Sequence, residues 1–120
     1  MAESLKGFVK NLEEIEEMEM DGGARIRWLI THRDGAPTFS MRYITIEKGK
    51  ETPAHAHDYE HEIFIIKGKG EVTLGNEKKE LKEGKFIFIP GNLFHKIHAN
   101  EDMAMICVVP IKAAKLLLGD

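Results

Sequence analysis

The most chemically informative feature of this 120-residue sequence is a cluster of histidines. His55, His57 and His61 fall within seven residues, and His95 follows a later segment that contains glycine and proline. Imidazole is the commonest protein ligand for transition metals. Residues two apart in a β-strand project from the same face, so His55 and His57 point together if residues 52–57 are extended. The spacing therefore predicts one metal site built from four histidines.

Four neutral imidazoles around a divalent ion allow two arrangements. A tetrahedral set closes the site, as in structural zinc centres. An octahedral set leaves two positions open for a substrate and an oxygen species, which favours manganese, iron, cobalt, nickel or copper. Glu62 competes with His61 as a ligand, but a shift of one residue moves a strand side chain to the opposite face, so we expect His61.

Composition indicates one ordinary globular domain. Apolar residues make up 42% of the chain and charged residues 31%, with a formal net charge of -3 and no basic stripe, which argues against nucleic acid as a partner. The single cysteine, Cys107, excludes a disulfide within the chain and is typical of a reducing compartment. The longest apolar run is too short to span a bilayer, and the N-terminus lacks the apolar core of a signal peptide. We therefore expect a cytoplasmic protein that makes no membrane contact.

Short strands separated by turns dominate the middle of the chain. The expected strands are 25–32, 38–47, 52–57, 62–67, 70–75, 85–89, 93–99 and 103–109. Many short strands at this spacing are typical of a sandwich or a closed barrel rather than of βαβ units. The ends of the chain are compatible with a helical turn or an extended arm before this region and with a short helix or tail after it. The predicted division is an N-terminal arm (1–23), an all-β domain (24–112) and a C-terminal tail (113–120).

The glycines and the proline around the histidines have a spacing that resembles the cupin superfamily. Its first motif, G(X)5HXH(X)3,4E(X)6G, matches Gly49, His55, His57 and Gly68. Its second motif, G(X)5PXG(X)2H(X)3N, matches Gly84, Pro90 and His95. The departures are His61 in the position of the motif glutamate, Asn92 in place of the motif glycine and Ala99 in place of the final asparagine. Because His61 replaces a carboxylate, the metal complex keeps its full double positive charge and attracts anions more strongly than the common cupin site.

The resemblance implies a fold, a metal centre and a partner. The implied fold is all-β, a single-domain cupin jelly-roll barrel (a double-stranded β-helix) with a short N-terminal arm. The implied site is open, and in it His55, His57, His61 and His95 hold one divalent transition metal ion per chain. Manganese or iron is favoured, and zinc, nickel, cobalt and copper are also admissible. Small cupins pair as homodimers, and exposed edge strands make such pairing physically reasonable.

Strand alternation suggests the walls of the pocket. On the last strand, one face carries Met105 and Cys107 and the other carries residues that are equally apolar, so the pattern alone does not choose between them. The resemblance to four-histidine cupins favours Met105 and Cys107 near the cavity mouth, although Cys107 fits equally well as a small buried hydrophobe. Phe94 is a further pocket candidate, positioned to gate the mouth. The large aromatic residues are expected in the core rather than on the pocket wall; they are Trp28, Phe39, Tyr43, Phe86 and Phe88.

These features predict a metal-dependent oxidoreductase, similar to a dioxygenase, that acts on a small anionic or enolisable organic molecule. The metal centre itself would be the catalyst, because the chain contains no recognisable nucleophile–base pair and no phosphate-binding loop. Two alternatives remain open. One is a non-redox metal isomerase or lyase, and the other is a non-enzymatic module that binds or senses a small ligand.

Overall fold

Two antiparallel β-sheets form the body of the protein in the computed structural model, which describes residues 6–120. The strands are β1 (Met18–Glu19), β2 (Arg25–Ile30), β3 (Phe39–Ile46), β4 (His61–Lys67), β5 (Gly70–Leu74), β6 (Glu77–Leu81), β7 (Phe86–Ile89), β8 (His95–Ala99) and β9 (Met103–Pro110). The larger sheet has the order β1-β2-β3-β9-β4-β7, and the smaller sheet has the order β6-β5-β8. The α-helix α1 (Ile111–Leu118) directly follows β9, and two short 3-10 helices lie at Leu12–Glu14 and His32–Asp34. No helix within residues 6–120 is long and apolar enough to cross a membrane.

The predicted all-β fold is confirmed, with differences at three of its elements. Strand β1 lies in the segment for which a helical turn or an extended arm was predicted. Residues 52–57 do not form a continuous strand; isolated bridges join Glu51 to His98 and His55 to His95. Pro53 lies between these bridges and has no backbone N–H to donate, so the ladder is interrupted there. Strand β6 was not predicted, because four of its five residues are exposed and charged and show no apolar alternation.

The core lies between the two sheets and is filled by every second side chain along their strands. Ile44, Met105 and Ile65 come from the larger sheet, and Val72 and Ile97 come from the smaller sheet. Burying such a side chain stabilises the fold by about 1.5–3 kcal/mol relative to leaving it exposed. The inner face of the larger sheet therefore supplies both the core and, at one end, the wall of a cavity.

Three of the aromatic residues expected in the core are instead exposed. Phe39, Phe86 and Phe88 have exposed fractions of 66%, 80% and 61%. They alternate with buried neighbours along β3 and β7, so they lie on the outer face of the larger sheet. The prediction was wrong for these residues because an aromatic residue in a strand pattern does not reveal which of the two faces is buried.

The turn between β7 and β8 explains how the sequence tolerates one departure from the cupin motif. Asn92 takes the position of the motif glycine and has a φ of 69°. Asparagine is one of the few non-glycine residues that adopts this left-handed conformation readily. The backbone N–H of Asn92 also donates to the carbonyl oxygen of His57, at 2.5 Å. The turn therefore keeps its shape and holds the histidine-bearing segment against β8.

Candidate metal centre

Three elements bring four imidazole rings together beside one cavity, which is lined by three of them. His55 and His57 lie on the segment that precedes β4, His61 is the first residue of β4, and His95 is the first residue of β8. The backbones of His55 and His95 exchange two hydrogen bonds, with N···O distances of 3.3 and 3.0 Å. This bridge fixes the histidine-bearing segment beside β8, so residues 40 positions apart in the sequence face the same space.

The rings are close enough to share one ion. The centroid of the His57 ring lies 4.9 Å from that of His55, 4.8 Å from that of His61 and 5.0 Å from that of His95. The donor nitrogens of His55, His57 and His95 all lie within 4.8 Å of one another. Two nitrogens bound to one ion at about 2.1 Å are at most about 4.2 Å apart. A small rotation of the side chains therefore suffices for these three residues to fit a transition metal ion.

Backbone carbonyls orient two of the rings. Nδ1 of His57 lies 2.9 Å from the carbonyl oxygen of Tyr59, and Nδ1 of His95 lies 2.9 Å from that of Leu93. Because a carbonyl oxygen only accepts hydrogen bonds, each Nδ1 carries the hydrogen and donates it. The lone pair of each neutral ring is then on Nε2, which is the arrangement that ligating histidines usually have.

His61 has different partners. Its Nε2 lies 2.9 Å from Nε2 of His57, a spacing similar to that of neighbouring ligands in an octahedral complex. Its Nδ1 lies 3.0 Å from Nη2 of Arg42 and 3.3 Å from Sγ of Cys107. No carbonyl fixes the orientation of this ring, so it depends on two side chains from β3 and β9.

The surroundings of the cluster favour the neutral form of the imidazoles. Burial, and after it the nearby histidines and Arg42, together lower the pKa of His57 to about 4 and that of His61 to about 2. Burial also lowers the pKa of His55 and of His95. Metal ions bind neutral imidazole, so the lowered pKa values favour metal binding near neutral pH. Because Arg42 donates to Nδ1 of His61, the hydrogen of neutral His61 is on Nε2 and has to leave this nitrogen before it can bind an ion.

The cavity beside the rings has a volume of about 410 Å³. It is lined by Glu19, Met20, Asp21, Arg42, Ile44, Thr52, Pro53, His55, Tyr59, His61, Ile63, Ile89, His95, Ile97, Met105, Cys107 and Leu117. Met105 and Cys107 are fully buried, so they form its inner end rather than its mouth. Phe94 is half-exposed and is not among the lining residues within the described chain, because it precedes the inward-facing His95 and alternates to the other side.

Two cavity residues, Arg42 and Tyr59, were missed by the sequence reasoning. Arg42 lies on the inward-facing parity of β3, between the buried residues Ser40 and Ile44. The ring of Tyr59 stacks on that of His57, with centroids 3.7 Å apart. A charged residue on the inward face of a strand is the signal that could have identified Arg42. Because the other face of β3 also carries apolar residues, the sequence did not show which of the two faces is inward.

The competing ligand Glu62 and the two other histidines of the chain lie away from the cluster. Glu62 is exposed on the outer face of β4, one residue after the inward-facing His61. His98 contacts the carboxylate of Glu51 at 3.2 Å, and its ring is partly exposed. His32 lies 2.6 Å from the carbonyl oxygen of Gly119, at the end of α1. None of these three side chains is among the residues that line the cavity within the part of the chain described.

Comparisons with known proteins agree with this architecture. The family model of the cupin domain matches residues 42–109. An uncharacterized protein from Aquifex aeolicus (strain VF5) is 26% identical over 101 residues, which are 83% of each chain. The polyketide cyclase RemF from Streptomyces resistomycificus has a similar fold, with a TM-score of 0.79 and 24% identity over 88% of this chain and 80% of that chain. Ectoine synthase from P. lautus has a TM-score of 0.79 and 26% identity over 95% of this chain and 86% of that chain.

Proposed function

The chain belongs to the cupin family, and on that basis we propose that it is a metal-dependent oxidoreductase, similar to a dioxygenase, acting on a small anionic or enolisable organic molecule. The observation that carries this proposal is the convergence of four imidazoles, with no carboxylate among them, beside a cavity of about 410 Å³ that three of them line. A ligand set without negative charge leaves the ion with its full charge, which favours anionic ligands.

In this proposal His55, His57 and His95 hold one divalent transition metal ion per chain, and His61 completes the set. Manganese or iron is favoured, because four imidazoles on an octahedral ion leave two positions for substrate and an oxygen species. When bound, such an ion supplies Lewis-acid polarisation and, if redox-active, electron transfer.

The side chains around the rings have separate roles. Ile89, Ile97 and Met105 are buried apolar side chains that share the lining with the rings and limit the access of water. A low-dielectric surrounding strengthens the attraction between the cationic centre and an anionic substrate. Glu19 and Asp21 are the lining residues with carboxylates, and both are exposed. They are therefore the available proton acceptors at the solvent side of the cavity.

A second candidate is a non-redox metal isomerase or lyase. The observation that favours it is that two structurally similar proteins are named as a cyclase and a synthase rather than as oxidoreductases. Zinc has no redox chemistry but is a competent Lewis acid, so activity of the zinc-loaded protein distinguishes the two candidates.

The test is to load the metal-free protein with Fe(II), Mn(II) or Zn(II) and to measure metal content and oxygen consumption with a panel of 2-oxo acids and 1,3-diketones. We expect about one ion per chain and oxygen uptake with iron or manganese but not with zinc. Substrate conversion without oxygen uptake in the zinc form would instead identify the isomerase or lyase. Ligand binding without conversion in any form would identify a binding module.

The double variant His55→Ala/His57→Ala is the control for the site itself. We expect it to lose stoichiometric metal and all metal-dependent oxygen uptake. If the variant and the wild type retain equal, substoichiometric metal, the metal centre is refuted. Azide should perturb the spectrum of the iron-loaded wild type, whereas no response at saturation would indicate a closed structural centre.

We also propose that the protein is a homodimer. Phe64, Phe86 and Phe88, together with Ile106 and Val108, form an apolar surface that we call the outer aromatic face. It includes the edge strand β7, which pairs with β4 on one side only. A contiguous exposed apolar surface at a sheet edge is a common site of self-association.

A further inference from the structure

Arg42 is a buried cation without an anionic partner. Its side chain is 3% exposed, and no carboxylate of residues 6–120 lies within ion-pair distance of it. Its hydrogen bonds run through Nη2 alone, which donates to Sγ of Cys107 at 2.9 Å and lies 3.0 Å from Nδ1 of His61. Its Nε is buried and has no hydrogen-bond partner.

The fold does not require a charge at this position. Of the two flanking inward residues of β3, Ile44 packs in the apolar core and Ser40 is uncharged, and the cavity residues Met105 and Ile63 are apolar. Burying a guanidinium without a counter-charge is unfavourable, and replacing buried charges with apolar residues of similar volume often stabilises proteins. A buried cation that lines a cavity and opposes the stability of the fold points to a ligand that supplies the missing negative charge.

The distribution of charge in the cavity supports the same conclusion. The buried part of the lining holds Arg42, His61 and His95, whereas the lining carboxylates, Glu19 and Asp21, are exposed. A divalent ion at the histidines would add to this positive charge rather than neutralise it. An anion that reaches the inner end therefore meets complementary charge from two directions.

We propose that Arg42 forms an anion subsite beside the histidine cluster and that the natural ligand carries a carboxylate group. This inference rests on the proposed function and narrows its anionic or enolisable substrate to a carboxylate. The guanidinium presents five N–H donors in a planar arrangement that matches a carboxylate, and those of Nε and Nη1 have no acceptor among residues 6–120. A neutral diketone would leave the charge of Arg42 unpaired.

The chain contains its own reporter for this subsite. Trp28 is the only tryptophan, and the centre of its ring lies 5.1 Å from Cζ of Arg42. Binding of an anion to Arg42 alters this cation–π contact and thus the fluorescence of Trp28.

The experiment is a fluorescence titration with pyruvate and with pyruvamide, its neutral amide of nearly the same shape. Both are added to metal-free and to zinc-loaded protein, for the wild type and for Arg42→Met, Arg42→Lys and Arg27→Met. Arg27 is the matched control, because it lies on β2 beside Trp28 and pairs with Glu17 outside the cavity. Thermal unfolding and zinc content are measured for every variant.

We expect the wild type to bind pyruvate. Arg42→Met should bind it at least about tenfold more weakly, because the substitution removes a hydrogen bond between charged groups. Arg42→Lys should bind at an intermediate level, because it keeps the charge but loses the planar arrangement of donors. Arg27→Met should match the wild type, and pyruvamide should bind weakly to all four proteins. The unfolding midpoint of Arg42→Met should not fall, whereas a residue that only supports the fold would lower it.

Three results would overturn the subsite: no saturable response of the wild type to pyruvate, equal affinity of wild type and Arg42→Met, or equal affinity for pyruvamide and pyruvate. If Arg42→Met does not fold, Arg42→Lys decides, and pyruvate affinity equal to that of wild type would contradict the proposal. Failure to bind zinc would refute the proposed metal centre, while the titration of the metal-free protein would still test Arg42.

Discussion

The four histidines of the cluster differ in what holds each ring in place. Carbonyl oxygens orient His57 and His95, whereas His61 contacts the side chains of Arg42 and Cys107. Burial raises the pKa of the Cys107 thiol, which keeps this neighbour of His61 protonated and uncharged at neutral pH. The histidines oriented by the backbone thus form a stable framework, and the orientation of His61 responds to changes on β3 and β9.

The first prediction compares two histidines on the same strand. His95→Ala should abolish stoichiometric metal binding, because it removes one of three donor nitrogens that lie within 4.8 Å of one another. His98→Ala should retain it, since His98 contacts Glu51 away from the cavity. Elemental analysis of the two purified variants after equal loading checks this. Equal metal content in both variants would mean that His95 is not a ligand.

The second prediction concerns pH. The pKa of His57 is about 4 in the folded protein against 6.5 for an unperturbed histidine, so the unfolded chain binds more protons between these values. The free energy of unfolding of the metal-free protein should therefore be constant above about pH 7 and fall as the pH decreases towards about 4. His61, with a pKa of about 2, extends the fall to lower pH.

Denaturant titrations across this pH range measure the effect. The variant His61→Gln should show a shallower decline, because a glutamine at this position binds no proton in the unfolded chain and so removes one source of the stabilisation of the unfolded state at low pH. A free energy of unfolding that does not change between about pH 7 and about pH 4 would contradict neutral, buried imidazoles in the native protein.

At the scale of the elements, the segment from Glu51 to His57 is held on β8 by few contacts. The N–H of Thr52 donates to the carbonyl oxygen of Ile97, and the N–H of Ile97 donates to Oγ1 of Thr52, both at 2.9 Å. The hydroxyl of Thr52 thus takes the place of a backbone acceptor where the ladder is irregular. This side chain joins the histidine-bearing segment to the smaller sheet.

The third prediction follows from this contact. Thr52→Val should lower the free energy of unfolding by about 1–3 kcal/mol, because the N–H of the buried Ile97 loses its acceptor. The affinity for zinc should fall as well, since the segment that carries His55 and His57 is less well held. Chemical denaturation and a competition assay with a zinc chelator measure the two effects.

Thr73→Val is the matched control for this substitution. Thr73 lies on β5, beside β8, and its side chain makes no hydrogen bond within residues 6–120. It should change neither the free energy of unfolding nor the zinc affinity appreciably. If both variants behave alike, the hydroxyl of Thr52 does not hold the segment.

At the scale of the whole molecule, the two faces of the larger sheet have different surroundings. Its inner face carries the core and the inner end of the cavity, and its outer face carries exposed aromatic side chains. Exposing such an apolar surface to water is unfavourable, and a second copy of the chain would cover it. The cavity and the outer aromatic face lie on opposite sides of the same strands, so self-association leaves the cavity open.

The fourth prediction tests the proposed dimer. Phe86→Glu places a charge on the edge-strand part of the outer aromatic face and should convert the protein to a monomer, measured by light scattering coupled to gel filtration. Leu116→Glu is the control, because Leu116 is also an exposed apolar residue but lies on α1. Both variants should bind metal like the wild type. A monomeric wild type, or a dimeric Phe86→Glu variant, would contradict the proposal.

Much of the fold was predictable from the sequence because it depends on short-range periodicity. Alternating apolar residues and turn-forming glycines predicted most of the strands, and the spacing of Gly49, His55, His57 and His95 predicted the cupin family. The strand β6 and the irregular segment around Pro53 were not predictable, since the first lacks apolar alternation and the second is shaped by its contacts with β8.

The sequence by itself determined which residue types are available for metal chemistry and that His61 replaces the usual carboxylate. Only the tertiary structure decided which face of β9 lines the cavity, because the side chains on both faces are apolar. The face that lines it carries Met105 and Cys107. It also decided that Arg42 lies beside His61, 19 residues away along the chain. Strand pairing over such distances depends on which faces can be buried together, a property of the assembled sheets that local spacing does not encode.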